Sequence, residues 1–227
     1  MIADNTTSER ATVADRDSLN KYFILNVLAG KGHDSEAVIR ADESLSVYTT
    51  EKEGDARRLT AEICNKDPYA WIIACGGDGT LSEAAAGIID AGAGGTALLS
   101  PIGGGTGNDF VRYMNGILCD GEIHCIDALS VNGCYSINMV NIGFDCAVVS
   151  ESEKLRKLPG FKGPSAYVLG VVKSLIRKPH IASEIHMYGV DGTDREETIK
   201  GEFLLTAIAE CPYCGGGFNA APTANPF

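Results

Sequence analysis

No apolar run in this 227-residue chain is long enough to cross a bilayer. The longest, Ala166 to Ile176, is about half of the ~20 residues a span needs, and Lys173 interrupts it. The first twenty residues carry Asp4, Glu9, Arg10, Asp15, Arg16 and Asp17 and lack the apolar core of a secretory leader. Residues 1–20 are therefore expected to be a disordered polar leader, and the eight cysteines to be reduced thiols of a cytoplasmic protein. Positive charge is also scarce: 19 Lys and Arg stand against 30 Asp and Glu, a net of −11 that argues against a general nucleic-acid binder. The four histidines are dispersed and suggest neither a metal centre nor a nucleophilic triad. A Gly-x-x-x-x-Gly-Lys-Ser/Thr segment is missing, which excludes a P-loop enzyme. A second cysteine pair of zinc spacing is missing as well. Cys211-Pro212-Tyr213-Cys214 spells a redox dithiol, but such a site needs a helix at its first Cys, and Gly215-Gly216-Gly217 forbids one.

Glycine, in contrast, is plentiful: 27 residues, clustered at 76–79, 92–95, 103–107 and 215–217. The first and third clusters follow apolar runs. Tyr22–Leu28, Ser46–Thr49, Ala70–Cys75 and Thr96–Ser100 read as strands, while Gly54–Asn65 and Leu81–Ala91 have the helical period, with Ser82 and Glu83 in the first turn of the latter. A further helix is expected to start near Asn108. This alternation predicts a parallel sheet covered by helices over residues 21–125. Beyond it, Tyr135–Met139, Ile185–Val190, a turn at Asp191-Gly192-Thr193 and Glu202–Ala209 predict a β-rich second domain, 126–227, around one helix at 166–177.

Ligands of parallel sheets sit at the C-terminal ends of the strands. Here those ends are the loops 29–33, 76–80 and 101–109, each rich in glycine. Glycine lets backbone N–H groups approach a phosphate, and the helix that follows adds positive potential. The carboxylate of Asp78 can hold Mg²⁺ or accept a hydrogen bond, and the hydroxyls of Thr80 and Thr106 suit phosphate oxygens. Gly30-Lys31-Gly32-His33-Asp34-Ser35 faintly echoes a dinucleotide fingerprint, with Ser35 where its third glycine belongs.

Gly76-Gly77-Asp78-Gly79-Thr80 followed by Leu81-Ser82-Glu83, and Pro101…Gly105-Thr106-Gly107-Asn108-Asp109-Phe110-Val111-Arg112, resemble the diacylglycerol kinase catalytic domain, a family that includes bacterial lipid kinases and sphingosine and ceramide kinases. Ile126-Asp127, Asn138…Asn141-Ile142-Gly143-Phe144-Asp145 and Pro212…Gly215-Gly216-Gly217-Phe218 extend the resemblance over about residues 22–225. The first motif is shared with NAD kinases and, more loosely, phosphofructokinases, so a soluble NAD kinase-like enzyme is an alternative. The second motif and the 141–145 block mark the lipid-kinase branch.

The resemblance implies a phosphofructokinase- or NAD kinase-like α/β domain followed by a β-sandwich, here incomplete. It implies ATP and Mg²⁺ as cofactors and a lipid hydroxyl, of diacylglycerol or a related lipid, as acceptor. Asn26, Thr50, Gly76, Gly77, Asp78, Gly79, Thr80, Leu81, Ser82 and Thr106 would contact the nucleotide. Asp78, Asp109 and Asp127 would be catalytic, with Asp78 and Asp127 on the metal. Three positions depart from the pattern. Asn26-Val27-Leu28-Ala29-Gly30 lacks the usual proline after Asn26. Glu210 stands where an Asn is usual. After Pro222 the family continues with an Asp-Gly element, further strands and the acid expected to serve as general base. The stretch to Phe227 is therefore expected to be truncated, able to hold ATP but deficient in transfer, and a non-catalytic nucleotide- or lipid-binding remnant is a second alternative.

Between Glu151 and His180 there are seven basic residues (Lys154, Arg156, Lys157, Lys162, Lys173, Arg177, Lys178) against two acids. The segment 154–178 is open to two readings, peripheral contact with the inner face of the membrane, where the lipid lies, or a solvated basic face. A homodimer is left open.

Overall fold

The computed structural model describes residues 18–29, 44–105, 107–117, 123–156, 164–177, 181–188 and 195–227. The leader through Asp17, the segment containing the dinucleotide-like loop, Thr106, and the turn at 191–193 lie outside the described residues.

Four strands, β1 (Lys21–Leu25), β2 (Ser46–Thr49), β3 (Trp71–Gly76) and β4 (Leu98–Gly103), form a parallel sheet in the order β2-β1-β3-β4. Successive residues of β1 and β3 point to opposite faces. Ile24, Ile72 and Ala74 join one cluster with Ile63 and Cys64 of α1 (Asp55–Lys66) and Ala84, Ala85 and Ile88 of α2 (Asp78–Asp90). Leu25, Ile73 and Cys75 form a second cluster with Phe23, Val27, Val47 and Trp71. Two boundaries differ from expectation. Pro101 was read as the end of β4, yet it pairs in register with Ala74; among the described residues β4 lies at the edge of the sheet, where proline is tolerated. The helix expected from Leu81 begins at Asp78, so the Gly-Asp-Gly-Thr segment is the first turn of α2 rather than a loop. After β4 comes α3 (Asp109–Ile117).

The chain divides into two units: residues through Met139 together with Ala209–Phe227, and Val140–Ile208. The sequence reading drew its one boundary at 125. The hairpin β5 (Leu129–Val131)–β6 (Cys134–Ser136) is fastened to α1, because Arg57 donates to the carbonyl of Gly133 at 3.3 Å and lies over the Tyr135 ring. The last segment also returns to the first unit: Glu210 and Cys211 N–H groups donate to Asn138, and the buried Cys211 packs in the main core. It forms the small hairpin β11 (Tyr213–Cys214) and β12 (Phe218–Asn219).

In the second unit β7 (Met139–Gly143) pairs with β10 (Leu205–Ala209), and β8 (Ile181–Tyr188) pairs antiparallel with β9 (Glu196–Phe203). The single strand expected at 202–209 is therefore two, divided at Leu204, whose carbonyl accepts the N–H of Phe144. One helix was expected and two are present: α4 (Phe144–Arg156) precedes α5 (Pro164–Arg177). The buried face of α4 consists of Val148, Glu151, Ser152 and Leu155, so half of it is polar and the apolar period is broken. Glu151 is held by Lys154 at 3.0 Å and Lys173 at 3.8 Å, which uses two of the cations that the sequence assigned to a membrane-facing patch. Lys157, Lys162 and Lys178 lie outside the described residues.

Candidate functional site

The C-terminal ends of β1, β3 and β4 meet, and the hydrogen bonds joining them come from residues the sequence nominated. Asn26 closes its own turn without a proline: its carbonyl accepts the N–H of Ala29 at 3.2 Å and its Oδ1 that of Leu28 at 3.1 Å. Its Nδ2 reaches across to Thr80 Oγ1 at 2.9 Å. The N–H of Gly104 donates to Gly76 at 2.8 Å, and that of the buried Thr50 to Leu25 at 2.9 Å.

Helix α2 starts at Asp78 behind Gly77, which supplies no side-chain cap. The first N–H groups of a helix lack intrahelical acceptors, so this end presents donors and positive potential beside Asn26 and the 103–108 loop. It suits a phosphate. A Cβ built on Gly79 would meet nothing within 4 Å, so that turn is open. The other glycines here have a different reason. A side chain on Gly76 would collide with Thr80, with Oγ1 at 2.5 Å, and one on Gly105 would run into the Cα of Gly77. The two glycine segments thus pack backbone to backbone, where the sequence reading assigned their glycines to ligand approach.

The carboxylates bind the helices together. Asp78 accepts the N–H of Asp109 at 3.2 Å and that of Phe110 at 3.1 Å, and so caps α3. Glu83 was expected to serve the start of its own helix; it lies in the second turn of α2 and takes the Gly54 and Ala56 N–H groups at 3.0 and 3.1 Å, capping α1 instead. Asp109 accepts the N–H of Gly216 at 2.8 Å and faces Arg112 at 3.4 Å. Asn108, in a left-handed conformation at φ 52°, clips Gly105 through both its N–H and its carbonyl. Glu83 and Asn108 were not nominated. Only the second had a local signal, since Asn tolerates positive φ better than other side chains bearing a Cβ.

Leu81, expected at the nucleotide, has its side chain buried in the core and its N–H bonded to Gly77 within α2. Ser82 is half-buried in the same helix, and Thr106 lies outside the described residues. Asp127 is exposed and donates its N–H to Pro226. Burial, and then the Asp127 charge, raise the Glu210 carboxyl above the usual carboxylate range. Burial, followed by Glu210 and Asp78, pushes the Cys211 thiol up to about 12. A thiol so raised in a segment running into β11 is a poor redox nucleophile.

Among the described residues no three His, Cys, Asp or Glu side chains converge to hold a metal by themselves. Mg²⁺ needs less from a protein, since it retains waters and binds through one or two carboxylates plus substrate phosphates. Asp78 keeps unused lone pairs after its two backbone bonds, so it fits that role.

The model of the diacylglycerol kinase catalytic domain matches residues 21–132. A Pseudomonas aeruginosa protein named "Probable lipid kinase YegS-like" is 33% identical over 223 residues, covering 91% of this chain and 69% of that protein. A Serratia proteamaculans protein of the same name is 31% identical over 218 residues, covering 88% and 68%. Among solved structures, a diacylglycerol kinase from Bacillus anthracis superposes with a TM-score of 0.55 at 22% identity over 87% of this chain and 65% of that one. A second Bacillus anthracis structure reaches 0.63 at 24%, over 91% and 71%, and these likenesses establish the shared fold. With identity above 30% carried across about nine tenths of the chain, the protein belongs to the diacylglycerol kinase catalytic-domain family of lipid kinases.

Proposed function

We propose that the strand ends of the first unit bind ATP with Mg²⁺ and that the protein transfers the γ-phosphoryl group to a lipid hydroxyl, diacylglycerol or a related lipid. The observation that carries this reading is the uncapped start of α2, open at Gly79 and bordered by Asn26, Thr80 and the Gly103–Asn108 loop. In the transfer the acceptor oxygen bonds to the γ-phosphorus, the bond to the β–γ bridging oxygen breaks, ADP leaves, and the hydroxyl proton passes to a base. Positioning and charge neutralisation dominate such a step. The α2 amides would fix the phosphates, Asn26 would hold Thr80 in place, and Asp78 would hold the metal while keeping α3 docked. Asp127, exposed beside Glu210, would be the second metal carboxylate.

Gly79→Ala separates this role from a structural one. The position is roomy and lies in a helical turn, where Ala is favoured over Gly by up to ~1 kcal/mol, so the melting temperature should hold or rise. A methyl group on the phosphate-facing turn should nevertheless weaken MgATP binding by about tenfold, or ~1.4 kcal/mol. Thermal shift with ATP and ADP measures both, and unaltered nucleotide affinity would place the phosphates elsewhere. Stabilisation of the native chain by nucleotide, with no turnover on any lipid, would favour the non-catalytic reading.

Membrane contact is proposed for α5. Val168, Val172, Leu175 and Ile176 recur at helical spacing and are exposed, Ile176 by 77%. An apolar stripe of this kind suits the headgroup boundary. Because Lys173 already faces Glu151, the apolar side chains should carry more of the binding than that charge. Leu175→Ser with Ile176→Ser should lower co-sedimentation with phosphatidylglycerol-containing vesicles several-fold, and Lys173→Gln much less. Equal binding by the native and double-serine chains would remove α5 from the membrane.

A further inference from the structure

We propose that Asp109 is a positioning residue: together with Arg112 it latches the Gly215–Gly217 turn onto the start of α3, and so holds the returning segment Ala209–Phe227 beside the phosphate-binding end of the sheet. The sequence placed Asp109 among the catalytic acids; in the structure both of its carboxylate oxygens hold protein groups. Oδ2 accepts the Gly216 N–H at 2.8 Å, Oδ1 faces Arg112 Nη1 at 3.4 Å, and the residue is 4% exposed.

The partner is built to meet it. Gly215, Gly216 and Gly217 have φ of 61°, 91° and 110°, three successive positive values open to glycine and strained for other residues. This turn joins β11 to β12, and its base is closed by Ala220 and Ala221 N–H groups donating to Pro212. Tyr213 on the hairpin stacks at a tilt against Tyr113 of α3, ring centroids 6.1 Å apart. Arg112 completes the clasp: Nη2 donates to the Gly107 carbonyl at 3.2 Å, and a Cβ on Gly217 would overlap Nη1.

The latch touches the proposed site through Gly107. A Cβ placed there would lie 3.1 Å from Asp78 Oδ2, 3.3 Å from Asp109 Oδ2 and 3.8 Å from Gly216 N, so these groups crowd around one backbone position. Asp78 fixes the start of α3, and Asp109 fixes the hairpin to the same start. Losing the hairpin's anchor would loosen the 103–108 loop without removing any group that touches nucleotide. The consequence for binding rests on the ATP-site reading; the latch does not.

The test uses amide hydrogen exchange at Gly216, followed by NMR in the purified chain without nucleotide, alongside MgATP dissociation constants. Asp109→Ala should speed Gly216 exchange about tenfold or more while β3 keeps its protection, and should weaken MgATP by a similar factor, as expected for a lost bond to a charged acceptor. Asp109→Asn retains an acceptor oxygen and should keep slow exchange and most of the affinity. Arg112→Ala, which leaves the carboxylate in place, should show a smaller acceleration at Gly216 and serves if Asp109→Ala fails to fold. Unchanged Gly216 exchange in Asp109→Ala, or in Arg112→Ala should that variant have to serve, would overturn the proposal. So would an Asn variant that loses MgATP as fully as the Ala variant while Gly216 stays protected, because the charge would then be the requirement. If the native chain binds no nucleotide, the exchange measurements still decide the latch, and it is the ATP-site reading that fails.

Discussion

Gly105→Ala should abolish most nucleotide binding while leaving the sheet folded. The methyl group would be driven into the Cα of Gly77 and lie 3.2 Å from its nitrogen, and neither neighbour is a side chain that can rotate away. The 103–108 loop must therefore separate from the start of α2. Overpacking of this kind costs about 1–3 kcal/mol. In a chain of this length that lowers the melting temperature by about 2–4 °C per kcal/mol. The larger loss falls on binding, since the amides at the two segments no longer share one geometry, and displacements near ~1 Å can cost ~100-fold. Gly77→Ala should be milder, because its Cβ would meet the Gly105 Cα at 3.2 Å, a gap that a small shift relieves. Gly79→Ala should leave stability intact. The order 105, 77, 79 in lost stability is thus fixed by geometry, and a Gly105→Ala chain that binds ATP as the native chain does would show that the two glycine segments do not jointly form the site.

Gly87→Ala should lower the melting temperature, although helix propensity alone predicts a rise. Gly87 lies where α2 crosses α1, and a Cβ there would stand 2.7 Å from Thr60 Cβ and 3.0 Å from Ala61 N, and would overlap the Arg57 carbonyl. Ala is favoured over Gly inside a helix by ~1 kcal/mol. The collision is with the backbone of α1, which places its cost at the upper end of the overpacking range, ~3 kcal/mol. The net loss of ~2 kcal/mol corresponds to about 4–8 °C, measurable by circular dichroism. A higher melting temperature would mean that the helices do not cross at this residue. Function should follow stability here, because one turn earlier Glu83 caps α1 through Gly54 and Ala56, and Asp78 caps α3 from the same helix.

The sheet was legible because its strands are continuous apolar runs ending in glycine, and burial on both faces leaves little else for such runs to be. The junction of strand end and helix start at Gly76–Thr80 was legible as well, since the two are adjacent in sequence. Helix α4 was illegible for the converse reason: Glu151 and Ser152 occupy its buried face, so local periodicity understates what tertiary packing accepts. The extent of the first unit was also hidden, because Ala209–Phe227 is held there by bonds such as Gly216 to Asp109 and Cys211 to Asn138, between residues far apart in the chain.

By itself the amino-acid order determined which segments become the parallel strands and which family the chain joins, since both are written in contiguous residues. Tertiary structure decided what each singled-out residue does. Asp78 and Glu83 cap neighbouring helices, Leu81 turns into the core, and Asp109 holds a hairpin. It also separated Gly79, where a Cβ would meet nothing, from Gly77, Gly87 and Gly105, which are pressed against backbone. A glycine and a carboxylate carry no mark of their partner in the sequence. The partner is chosen when the strand order brings distant chain segments within hydrogen-bonding or van der Waals distance.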